Sequence, residues 1–134
     1  MTPFQLKIVT PDGLAYDGQA EELIVRTTTG DMGILAHHIN CVAPLGMGRA
    51  TVLIDGKKRY AACIGGMVSV VNGEVTLVPT TFEWAEDIDA MRAELSAERA
   101  KKILADKTST DADLRMAEAR LKRALVRSNV AKPM

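Results

Sequence analysis

The chain has few aromatic residues: one tryptophan, two tyrosines and two phenylalanines in 134 residues. That leaves little on which nucleobases could stack, and 17 basic against 17 acidic residues give no broad basic footprint, which argues against nucleic acid as a partner. There are two cysteines, Cys41 and Cys63, without metal-type spacing and each among small or apolar neighbours. Free buried thiols are therefore expected, not a zinc site or a disulfide. No apolar run approaches the roughly 20 residues of a bilayer span. The start MTPFQLKIVT has neither a basic n-region nor an apolar h-region, so the expectation is a cytoplasmic chain without a secretory signal. Finally, no glycine follows Gly73, and this last absence divides the chain.

What is present fits soluble globular protein, with 47% hydrophobic and 25% charged residues, enough for one or two small cores. The first part reads as strands. In FQLKIVT, Phe4, Leu6 and Ile8 alternate with polar neighbours, and ELIVRTT follows the Pro11-Asp12-Gly13 turn. Asp55-Gly56 and Asn72-Gly73 are two-residue hairpin signals, because type I′ turns need positive φ at both central positions. Short strands at this spacing predict a β-sandwich or flattened barrel over residues 1–84. Gly65-Gly66 lacks the Lys-Ser/Thr and the helix of a phosphate loop and is expected to be a bend or bulge.

From residue 85 onward Ala, Glu, Lys, Arg and Leu dominate, and an α-helical hairpin is expected over 85–134. Helix one is placed at Glu86 to Ala105, with Glu86, Asp87 and Asp89 in its first turn. Helix two starts near Asp111 and carries Leu114, Ala117, Leu121, Ala124 and Leu125 at helical spacing. It faces a stripe of Ala93, Ala97, Ala100 and Leu104. Alanine buries little area, so the pairing is expected to be weak enough for a ligand or another protein to shift it. The stretch Arg120 to Lys132 is basic without an acid, which suits an acidic protein surface or a phosphate ligand. At 100° per residue Asp89, Arg92 and Arg99 fall within about 80° of one another, either as solvated surface or as the lining of an anion site.

Taken in order, IVTPDGLAYDGQAEELIVRTTTGDMGIL, the following His37-His38, GKKRYAACIGGMVSVVNGEVTLV and AEDID resemble the epsilon subunit of the rotary F-type ATP synthase across essentially the whole chain. The resemblance implies an all-β N-terminal sandwich of about ten strands followed by a C-terminal antiparallel α-helical hairpin. It implies a non-catalytic rotor subunit, bound to the gamma subunit and to the polar loops of the c-ring. Its place would be the cytoplasmic face of the cell membrane, which it touches only indirectly, and Asp31 and His38 match loop positions facing the c-ring and gamma. Members from bacilli carry an ATP-sensing pattern on the hairpin, met here by Ile88, Asp89, Arg92 and Ala93, with Glu83, Arg99, Arg123 and Arg127 in matching places. ATP would be a regulatory ligand and no cofactor would be required. In a second state the helices would separate and the basic helix would run toward the alpha/beta catalytic ring. A stand-alone ATP-binding sensor module is the alternative. An enzyme reading has only His37-His38 and Cys41 to draw on; adjacent histidines diverge, no HExxH spacing accompanies them, and no nucleophile with base and orienter is legible.

Overall fold

A computed structural model describes residues 1–131, and the chain divides into two compact units after Trp84. The first unit holds β1 (Phe4–Thr10), β2 (Gly13–Ala20), β3 (Glu22–Thr27), β4 (Gly30–Ile34), β5 (Cys41–Pro44), β6 (Met47–Ile54), β7 (Lys57–Val71) and β8 (Glu74–Trp84). The strands pair in the order β2-β1-β8-β7-β6-β3-β4, with β5 on β7. Every pairing is antiparallel except β1 with β8. Both dipeptide signals make the expected tight turns: Asp55 and Asn72 lie at φ 52° and 50°, and Gly56 and Gly73 at 76° and 84°.

One continuous sheet becomes two layers at a corner in β7. Along one edge, β7 pairs with β6 from Lys57 to Ile64 and with β5 from Met67 to Val70. The exchange of partners falls on Gly65 and Gly66, whose φ values are +67° and +95°. The backbone stays satisfied there. Gly65 N–H donates to the Gly46 carbonyl and Leu45 N–H to the Gly66 carbonyl, both at 2.9 Å. β8 also serves both layers, since β1 pairs only with Glu74 to Leu77 while β7 pairs along its length. Counted once per layer, β7 and β8 each contribute twice, and this brings eight named strands to the expected count of about ten. Between the layers Leu6, Ile8, Leu23, Val25, Ile34, Val52, Val68 and Leu77 are fully buried. The alternation read in β1 holds: Phe4, Leu6 and Ile8 face inward and Gln5 and Lys7 outward. Phe82 and Trp84 meet edge to face at 4.9 Å, and the Arg59 guanidinium lies 3.8 Å above the Trp84 ring.

The second unit has a 3-10 turn at Ala85–Asp87, then α1 (Ala90–Ala105) and α2 (Asp111–Ala131). α1 starts later than expected because Asp89 caps it. In extended backbone, the Asp89 carboxylate accepts the Arg92 N–H at 3.1 Å, leaving Glu86 and Asp87 outside the helix. α2 opens on a reciprocal cap, in which Thr110 Oγ1 accepts the Asp113 N–H and Asp113 Oδ2 accepts the Thr110 N–H. Between the helices Asp106 Oδ1 accepts both the N–H and the hydroxyl of Thr108, which holds this exposed carboxyl below its ordinary range. The buried residues are small: Ala93, Ala97 and Ala100 on α1, and Ala117, Ala124, Ser128 and Val130 on α2. Leu104 and Leu125, placed in the seam by sequence periodicity, are exposed instead. Of the basic run at the chain's end, Lys132 lies outside the described residues.

The corner sets a stability test. A Cβ on Gly66 would drive into the Val78 carbonyl and stand 2.7 Å from Pro79 Cα, at a φ unsuited to any side chain. Gly66→Ala is expected to lower unfolding free energy by about 2–4 kcal/mol in a urea titration. Gly33→Ala, whose Cβ meets nothing within 4 Å, should change it by less than about 0.5 kcal/mol.

Candidate functional site

Three of the expected arginines converge. Arg92 and Arg99 project from one side of α1 and, with Arg127 of α2, line a cleft of about 240 Å³ whose other lining residues are Leu95 and Ser96. Among the described residues no carboxylate belongs to this lining, and its charged members are the three arginines. Guanidinium groups present planar donor forks to phosphate oxygens and keep their charge at any working pH. The volume lies below the roughly 300–1,000 Å³ usual for whole-ligand pockets. It is of a size for a small anionic group.

The remaining expected residues stand apart from that cleft. Arg123 is exposed one turn before Arg127 and does not line it. Asp89 spends its carboxylate on the helix cap, so it does not act as a member of the α1 stripe that uniform helical spacing implied. Ala93 is fully buried, and an adenine ring could reach it only if the local packing opened. Ile88 is half-buried in the turn before the cap, its N–H bonded to the Ala85 carbonyl at 3.3 Å. Glu83 belongs to the other unit, half-buried on β8 opposite Ala62. Leu95 and Ser96, which the motif did not single out, occupy the cleft because they sit between Arg92 and Arg99 on the same turns.

In the first unit Asp31 lies in strand β4, not in a loop as the resemblance implied. The strand begins already at Gly30, where φ of +134° closes the preceding turn. His38 occupies the connection between β4 and β5. Its Nδ1–H donates to the Ile39 carbonyl at 2.8 Å and lies 3.9 Å from Cys41 Sγ. A carbonyl only accepts, so the proton of the neutral ring is on Nδ1. Among the described residues no group of three or more His, Cys, Asp or Glu is arranged to hold a metal ion. Among the same residues no helix is long and apolar enough to cross a membrane.

The two units correspond to two family models. Residues 3–85 match the beta-sandwich domain of the ATP synthase delta/epsilon chain, and residues 86–132 match its long alpha-helix domain. The chain belongs to the ATP synthase delta/epsilon family. Similar curated proteins carry the name ATP synthase epsilon chain. That of Shouchella clausii is 40% identical over 132 residues, covering 98% of this chain and 97% of its own length. That of Bacillus velezensis is 43% identical over 131 residues, covering 98% of each. Among solved structures, a chain of the Euglena gracilis mitochondrial ATP synthase complex of OSCP, F1 and c-ring superposes with a TM-score of 0.86 at 22% identity. That match covers 98% of this chain and 83% of the other. At that identity the likeness concerns the fold of this epsilon-family chain.

The two thiols of the epsilon-family chain should separate in chemistry. Cys41 is half-exposed, whereas burial pushes the Cys63 thiol up to about 12. A thiol reagent at pH 8 should label Cys41 in the native chain and reach Cys63 only in denaturant. Labelling of both at equal rates would contradict the burial. The alkaline limb follows from the same shift. Between the unfolded thiol value of about 8.5 and about 12, the unfolded chain loses a proton that the folded chain keeps, so the Cys63 contribution to stability falls as pH rises.

Proposed function

We propose that the chain is a non-catalytic central-stalk subunit of F-type ATP synthase that couples gamma to the c-ring during proton-driven ATP synthesis. Its C-terminal hairpin restrains ATP hydrolysis and senses ATP. Family membership supports the first part, and the convergence of Arg92, Arg99 and Arg127 on one cleft carries the second. In this reading the three guanidiniums hold the phosphates of ATP while Asp89 keeps α1 capped. ATP then acts as a signal. Because it binds residues of both helices, it favours the paired hairpin over a separated one, in which the basic face of α2 would lie along gamma toward the alpha/beta catalytic ring. The energies are commensurate. A ligand at 100 times its dissociation constant contributes about 2.7 kcal/mol to the bound form. Each alanine in the seam contributes only about 1 kcal/mol of burial at most. The chain reaches the membrane through its partners at the cytoplasmic face.

Titration calorimetry on the purified chain tests the ligand. One equivalent of ATP should bind more tightly than ADP, because the γ-phosphate adds charge within reach of the arginines. Arg99→Ala should weaken ATP binding by about tenfold or more, the value of a lost charge-assisted bond. Lys101→Ala, which removes a solvent-exposed partner of Glu98, should leave it unchanged. No heat with millimolar ATP would show the arginines to be solvated surface.

A further inference from the structure

Asp31 does not stand alone at the edge of the sandwich. It is paired directly across the β3–β4 hairpin with Arg26, whose Nε lies 3.3 Å from Asp31 Oδ1. Both side chains are more than half exposed, and an exposed ion pair of this kind ordinarily adds little to stability. What sets this one apart is how the arginine is held. Its stem lies against Gly46 and Gly48 at the entrance to β6. A Cβ on Gly48 would stand 2.7 Å from Arg26 Cβ and 3.1 Å from Cγ, and one on Gly46 would stand 3.4 Å from Cγ. Neither glycine adopts the left-handed conformation that would call for glycine on backbone grounds. The Arg26 carbonyl also accepts the Gly46 N–H at 2.9 Å. The arginine is thus fixed from below by backbone and alongside by a channel free of side chains, with its guanidinium delivered to one carboxylate oxygen of Asp31.

We infer that Arg26 is a positioning residue for the rotor contact of Asp31, an inference that rests on reading Asp31 as such a contact. Arg26 Nε lies at Oδ1, which fixes where the Asp31 carboxylate, itself more than half exposed, stands on the edge strand β4. The pair is close to neutral as a unit. It therefore recognises its partner by the place at which the carboxylate is held and not by bare charge. The matching chemistry on the partner is a hydrogen-bond donor, an amide or a guanidinium, on a polar loop.

The test uses the full chain rebound to ATP synthase stripped of this subunit, with affinity read for each variant. Arg26→Gln should weaken association by about two- to fivefold, the range of a solvent-exposed charged contact. Gly48→Ala should do the same with every charge retained, because it displaces the arginine stem. In an Asp31→Ala background neither change should weaken association further, and the thermal unfolding midpoint of Arg26→Gln should match that of the unaltered chain. Arg26→Gln acting equally strongly without Asp31, or having no effect where Asp31→Ala weakens association, would overturn the inference while leaving the contact in place. An Asp31→Ala chain that binds normally would remove the contact itself, and the role of Arg26 with it.

Discussion

The sandwich depends on the close approach of β7 to β8 at Gly66 and Pro79. Without a side chain at Gly66, β8 can lie against the bend, and two successive residues at positive φ turn the strand from one layer into the other. The β7–β8 register runs through the corner without a slip, and both strands change the parity of their inward residues there, from Ala61 and Cys63 to Val68 and Val70 on β7 and from Val75 and Leu77 to Trp84 on β8. The hydrogen bonds freed by the change of partner are taken by Leu45 and Gly46. A sheet that could not fold here would leave one face of each half in water. With the fold, Leu6, Ile8 and Leu77 from one layer meet Leu23, Val25 and Val52 from the other.

The second unit is built on a different economy. Alanines line the buried side of α1 and much of that of α2, which lets the helices approach closely and keeps long side chains off the seam. The same choice sends Leu95 and Arg92 outward on α1, where Leu95 flanks the arginine cleft. A thin apolar seam and a concentrated positive charge on the same pair of helices form one arrangement. The seam buries only small side chains, so it holds the pair together only modestly. Under the proposed ATP-sensing role, a ligand on the arginines and the packing of the seam would be coupled through the same pair of helices.

Much of this was legible in the sequence, because its strongest signals are local. Asp55-Gly56, Asn72-Gly73, the alternation of Phe4, Leu6 and Ile8, and the loss of glycine after Gly73 each report backbone needs of a few residues. What escaped depended on competition between nearby groups or on distant strands. Three acids at Glu86, Asp87 and Asp89 each suit a helix start, and only the extended backbone at Asp89 decides which one caps. That choice took Asp89 out of the predicted stripe. Leu104 and Leu125 obey helical periodicity, yet the narrow seam turns them outward. The strand count differed because β7 and β8 each run through both layers. Arg26 and its two glycines were invisible for another reason: Gly46 and Gly48 sit some twenty residues further along the chain, and only strand pairing brings them under that side chain.

The proposed function divides the labour, with assembly assigned to the first unit and control of hydrolysis to the second. The first unit has its own enclosed core, with Trp84 closing its last strand. The most direct measurement is ATP hydrolysis by ATP synthase reconstituted with the chain ending at residue 84, compared with the full chain at low and at millimolar ATP. The shortened chain is expected to assemble with the complex, hydrolysis at low ATP to rise, and its latency to be lost. Equal hydrolysis with the two chains at both concentrations, in a complex that retains the shortened chain, would contradict it.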